Sequence, residues 1–212
     1  MGEDNFSARN ESHSSPAFSN GAFDIVALAA SAGGLRALSQ VLAALPADFP
    51  AAIVVVQHLD PRHRSLMADI LSRRTSLQVK EAKEGTRLSP GSAYIAPPNR
   101  HLLVNSDSTL SLSQSELVHF VRPSADLLFE SVAASYKDRS IAVVLSGTGS
   151  DGSMGVKAIK KMGGTVIVQD EKTAEFFGMP GAAVQTGSVD FILPLDEIPS
   201  ALVTLVTTGD VT

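Results

Sequence analysis

The sequence predicts a three-layer α/β domain: a largely parallel, doubly wound sheet with helices on both faces and a short antiparallel edge. Three observations carry this expectation. The apolar runs at 25–30, 51–56 and 141–145 are continuous rather than alternating, as strands covered on both faces require. Each run ends in small or polar residues and is followed by apolar residues at helical spacing, the strand, turn and helix unit that links parallel strands. With 212 residues, 44% of them hydrophobic, the chain can bury one substantial core.

Taken in order, residues 1–20 are rich in Ser, Asn and Glu with few large apolar groups. They are expected to form a disordered tail or linker, leaving 21–212 as the domain. The first run reaches Ser31, Gly33 and Gly34, after which Leu35, Leu38, Leu42 and Leu45 mark one face of a helix. The second run ends at Gln57 and His58 before Asp60 and Pro61 break the chain. Leu66, Met67, Ile70 and Leu71 mark another helix, and the charged stretch 80–91 reads as solvated loops around a short strand. Residues 94–96, 102–104 and 110–112 are expected as short strands in hairpins at one edge of the sheet. Pro123 and Ser124 open a helix whose buried face carries Phe129, Val132, Ala133 and Tyr136. The run 141–145 then enters a glycine-rich turn containing Asp151, and helical spacing resumes through Val156 and Ile159. Strands at 165–168 and 191–193 and helices at 180–185 and 198–206 complete the pattern.

Composition excludes several classes of function. The formal net charge of −5, without a lysine or arginine run, argues against a nucleic-acid partner. The chain has no cysteine, hence no disulfide, thiolate nucleophile or cysteine-bound metal, which fits a reducing compartment. No apolar run approaches a membrane span and the polar start lacks the features of a signal peptide, so a cytoplasmic location is expected. His58 and His63 do not have the i, i+4 spacing of a helical zinc site, His13 lies in the tail, and His101 and His119 flank edge segments. No metal site is expected.

Chemistry-bearing residues gather at the ends of strands, where open α/β sheets bind their ligands. Ser31 stands at a strand-to-helix corner in a sequence one small residue away from the Gly-x-Ser-x-Gly nucleophile elbow, although a serine there also caps helices. Gly147, Gly149 and Gly152 match Gly-x-Gly-x-x-Gly after a strand, and Asp170 stands where a ribose-binding acid would. That reading makes a dinucleotide cradle, but it leaves Ser31 and His58 idle and sets Asp151 beside the phosphates. The competing reading joins Ser31, His58 and Asp151 as a triad in which imidazole takes the serine proton and the carboxylate orients it. Individually, His58 could cap a strand and Asp151 the helix that follows it.

Taken together, Ser-Ala-Gly-Gly at 31–34, Gln57 with His58, Tyr-Ile-Ala-Pro at 94–97, Arg-Pro-Ser at 122–124, Ser-Gly-Thr-Gly-Ser-Asp-Gly at 146–152 and Phe-Gly-Met-Pro at 177–180 resemble the catalytic domain of CheB chemotaxis methylesterases. The resemblance covers about 24–206. It implies hydrolysis of glutamate methyl esters on the cytoplasmic domains of chemoreceptors, often with deamidation of receptor glutamines, by Ser31, His58 and Asp151 and without a cofactor. It also implies support of the turn or oxyanion by Ala32, Gly33, Gly34, Thr148 and Gly149, and substrate contacts at Arg122 and Met179. Many receiver-linked family members carry methionine where this chain has Thr148, a change that leaves a backbone N–H donor in place. The motifs are closer to stand-alone or methyltransferase-fused forms than to receiver-linked ones. Control by separate signalling partners is therefore expected, and a silent receptor-binding domain is the alternative from another class.

Overall fold

In a computed structural model of the chain, residues 21–58, 65–118 and 120–209 are described. The expected tail, His13, Asp60, Pro61, His63 and His119 lie outside the described residues.

Nine strands are found among the described residues: β1 (Ile25–Ala30), β2 (Ala52–Gln57), β3 (Gln78–Glu81), β4 (Ser92–Ile95), β5 (His101–Val104), β6 (Leu110–Ser113), β7 (Ser140–Val144), β8 (Thr165–Gln169) and β9 (Phe191–Leu193). Six α-helices accompany them: α1 (Gly34–Ala43), α2 (Met67–Ser72), α3 (Ala125–Tyr136), α4 (Ser153–Lys161), α5 (Gly178–Gln185) and α6 (Ile198–Thr208). Seven strands form one sheet in the order β3-β4-β2-β1-β7-β8-β9, and every neighbouring pair in it is parallel. From β1 the chain winds outward through β2 to β3, then returns past β1 to β7 and winds the other way. The switch point lies between β1 and β7.

Burial on both faces explains the continuous apolar runs. Val26, Leu28 and Ala30 of β1 pack under α1, α2 and α6 with Leu38, Leu42, Leu71 and Leu202. Ile25, Ala27 and Ala29 pack under α3, α4 and α5 with Phe129, Val132, Ile159 and Met179. The antiparallel element is a separate two-stranded sheet, β5-β6, whose Leu102, Val104 and Leu110 close over the α3 face.

The expectation that 94–96 belongs to an edge hairpin does not hold. β4 is parallel and internal, paired with β2 through Ile53↔Ala93 and with β3 through Val79↔Ala93. Its four residues are all buried, whereas β3, the true edge, is mostly exposed and carries Lys80 and Glu81. Charged residues on an edge strand discourage pairing with another chain, so this stretch is a solvated face and a strand at once.

Candidate active site

The site is built at the carboxyl ends of β1, β2 and β7. The turn after β1 closes with Gly34 N–H donating to Ser31 O at 2.9 Å, and Ser31 N–H donates to Ser146 O at 3.0 Å, tying β1 to β7. Gly33 enters α1 with φ 76°, a conformation open to glycine and costly for other residues. Alternation along the strand decides direction. Ala30 and its register partner Gln57 face α1, so Ser31 and His58 turn to the opposite face, toward α3. Ser31 also lies close to the Gly147 turn: a Cβ on Gly147 would lie 3.0 Å from Ser31 Cβ and 2.4 Å from Met179 Sδ.

Gln57 straps the two strand ends together. Its Nε2 donates to Ser31 O at 2.7 Å and to His58 O at 3.0 Å, while His58 N–H donates to Ala30 O at 3.1 Å. The backbones that carry Ser31 and His58 are thereby held as neighbours.

Asp151 completes the arrangement from the turn between β7 and α4. Its Oδ2 lies 2.8 Å from His58 Nε2. The carboxylate also accepts from Ala125 N at 2.6 Å, Asp126 N at 3.1 Å and Ser124 Oγ at 2.9 Å, which makes it the anion at the N-terminus of α3. Burial pushes the Asp151 carboxyl up, but the His58 bond and the Ala125 and Asp126 amides outweigh it and hold the group below the usual carboxylate range. An ionised Asp151 makes Nε2 the protonated ring nitrogen and leaves Nδ1 as the basic one. The His58 side chain is 13% exposed against 4% for Asp151, so the ring can meet a substrate that the carboxylate cannot.

These contacts correct the reading in which Asp151 caps the helix after it. The N-cap of α4 is Gly152 with no side-chain cap, and Asp151 serves α3 instead. The dinucleotide cradle fails too. In the first turn of α4, Gly155 N–H is bound by Asp126 Oδ1 at 2.7 Å and Ser153 N–H by Ser150 O, while the Gly147 turn is packed against Met179. Asp170 spends its carboxylate on Thr173, accepting from both its N and its Oγ1.

Of the other expected site residues, Thr148 and Gly149 are exposed on the turn next to Gly147, and their N–H groups have no partner among the described residues. Ala32 gives its carbonyl to Ser146 Oγ at 2.8 Å. Met179 is buried beside Gly147. Arg122 is engaged elsewhere: its guanidinium holds Asn99 Oδ1 at 2.7 and 2.9 Å and the carbonyls of Gln114 and Ser115. No group of three or more side chains suited to a metal ion occurs among the described residues.

Of the supports of the site, two carry local sequence signals and one does not. Gln57 was legible as a polar residue ending a buried strand and Ser124 as an N-cap. His101, whose ring is buried against Ser124, left no local signal.

A family model for the CheB methylesterase matches residues 26–202. The chain belongs to the CheB methylesterase family. A Leptospira interrogans protein provisionally named protein-glutamate methylesterase/protein-glutamine glutaminase is 41% identical, over 86% of this chain and 95% of that protein. The Moorella thermoacetica protein-glutamate methylesterase/protein-glutamine glutaminase is 43% identical over 87% of this chain, which spans 44% of that relative's length. The crystal structure of the Thermotoga maritima CheB methylesterase catalytic domain superposes with a TM-score of 0.84 at 39% identity, covering 86% of this chain and 98% of that one. The seven-stranded parallel sheet is thus the CheB catalytic-domain fold.

Proposed function

We propose that this CheB-family chain is a serine hydrolase that removes methyl esters from glutamate side chains of chemoreceptor cytoplasmic domains, releasing methanol, and that it deamidates glutamines at the same site. The observation that carries the reading is the His58 Nε2 to Asp151 Oδ2 contact of 2.8 Å, formed on the face toward which Ser31 also turns. Residues 21–212 form the catalytic unit, and it works in the cytoplasm, where receptor signalling segments are reached. A cleft of about 670 Å3 between α1 and α2 reaches Ser31 from the Gln57 side, but His58, Asp151 and Met179 do not line it, so the reacting ester is placed on the other side of Ser31, toward His58.

In this mechanism Ser31 Oγ attacks the ester carbonyl carbon and its proton passes to His58 Nδ1, the nitrogen that Asp151 leaves free. Asp151 stabilises the imidazolium. The oxyanion is met by the Thr148 and Gly149 amides and by the uncapped N-terminus of α1, which supplies partial positive charge beside Ser31. The C–O bond to the methoxy group breaks, His58 returns the proton, and methanol leaves a glutamyl ester on Ser31. Water then loses a proton to His58 and attacks that ester. Ser31 Oγ leaves with the proton and the free glutamate carboxylate remains. With a glutamine substrate the C–N bond breaks instead and ammonia leaves. Met179, packed at the Gly147 turn, shapes the wall beside the reacting carbon.

Purified protein mixed with methylated receptor cytoplasmic fragments tests this proposal, with methanol measured directly and ammonia measured from glutamine-bearing fragments. Methanol release supports it. Binding of the fragments by folded protein with no release of either product favours the silent receptor-binding domain.

A further inference from the structure

We infer that His101 is a positioning residue for the hydrolytic reaction, acting through Ser124 and Asp151; this rests on the proposed triad. His101 opens β5 and is completely buried. Both ring nitrogens are bound: Ser124 N–H donates to Nδ1 at 3.1 Å, and Nε2 donates to Glu116 O at 3.0 Å. An amide donor on Nδ1 fixes the neutral tautomer with its proton on Nε2.

Ser124 is the N-cap of α3, and its position sets where the donors of that helix converge. Ser124 Oγ donates to Asp151 Oδ1 at 2.9 Å, with the Ala125 and Asp126 amides beside it. The other carboxylate oxygen, Oδ2, holds His58 Nε2. A continuous chain of hydrogen bonds therefore runs from Glu116 O through His101, Ser124 and Asp151 to His58. Its outer half lies beside the β5-β6 sheet, so that sheet has a task beyond covering the α3 face: it fixes the mount on which the orienting carboxylate sits. Outer partners that orient the ligands of a metal site cost about 10–100-fold when mutated, and the same orienting logic applies to a carboxylate that must hold an imidazole in place.

The isosteric geometry of two substitutions isolates the link. In His101→Asn, Oδ1 can occupy the place of Nδ1 and accept from Ser124 N–H, while the bond to Glu116 is lost. In His101→Gln, Nε2 can reach Glu116 O, but nothing replaces Nδ1. Methanol release by wild type, Asp151→Asn and both His101 variants is measured with thermal melts, at a temperature where each is folded. Wild-type turnover and its collapse in Asp151→Asn test the triad itself, so a failure of that reading is distinguished from a failure of this one. His101→Gln is expected to lose about tenfold or more in kcat with KM little changed, and His101→Asn to keep most of the wild-type kcat. Equal kcat in the two variants, whether both high or both low, overturns the inference. Should His101→Gln fail to fold, nitrogen NMR of the wild type decides: the inference needs Nδ1 unprotonated and coupled to the Ser124 amide, and a protonated Nδ1 overturns it.

Discussion

Asp151 does two jobs with one carboxylate, and its substitution separates them. Its Oδ2 meets His58, while both oxygens accept from the start of α3. Asn keeps the shape but loses the charge that stabilises an imidazolium. Asp151→Asn is expected to lower kcat strongly, by up to about ten-thousand-fold if the site behaves like the buried triad of a serine protease. Its pH signature follows from the same contacts. Burial raises the Asp151 carboxyl, but the His58 bond and the helix amides hold it below its unfolded value of about 3.9. Between the folded and unfolded values the unfolded chain binds more protons. The stability Asp151 contributes is therefore complete above the unfolded value and is lost as pH falls through the folded one. Melts between pH 6 and pH 3, a range set around that value of about 3.9, should show the wild type losing stability at acid pH with a steeper limb than Asp151→Asn. Parallel acid limbs would remove Asp151 from the groups held ionised by the fold.

At the scale of elements, α3 and α4 hold each other by their beginnings. Asp151, just before α4, takes the first amides of α3, and Asp126, in the first turn of α3, takes Gly155 N–H of α4. The helices can approach this closely because position 155 has no side chain: a Cβ there would lie 2.5 Å from Phe129 Cβ and 3.1 Å from Asp126 Cα. Gly155→Ala gains about 1 kcal/mol of helix propensity. It must also push α3 and α4 apart, and overpacking of this kind costs about 1–3 kcal/mol. The expected outcome is a lower melting temperature together with reduced kcat, because the mount of Asp151 moves with α3. A variant more stable than wild type would show that the helices part freely. This arrangement also shows what the sequence could reveal. The continuous runs of β1, β2 and β7 and the N-cap at Ser124 are local signals and were legible. Which helix start Asp151 serves depends on a partner 26 residues away in sequence, and no local pattern encodes it. The same holds for β4, whose short run Ser92–Ile95 carries no mark of its parallel partners, and for His101.

Across the whole molecule, the two ends of the sheet have separate tasks. The carboxyl ends gather Ser31, His58 and Asp151 at the switch point between β1 and β7, where an open α/β sheet leaves a crevice. The other end is closed by Arg139, which grips the buried Asp24 ahead of β1 at 2.6 and 2.9 Å and also donates to Gly21 O. Removing the guanidinium takes two charge-assisted hydrogen bonds from a buried carboxylate. Arg139→Leu is expected to destabilise the fold by about 3 kcal/mol while leaving kcat near wild type at temperatures where the variant is folded. Denaturant melts beside initial rates check this, and a kcat loss in fully folded Arg139→Leu would mean that the two ends are coupled. The central claim is that Ser31 carries the covalent step. It is tested most directly by methanol release from methylated receptor fragments by wild type and Ser31→Ala, side by side, with both shown to be folded. Turnover by the wild type and none above background from Ser31→Ala is the expected result; methanol released by Ser31→Ala at the wild-type rate would contradict a covalent role for Ser31.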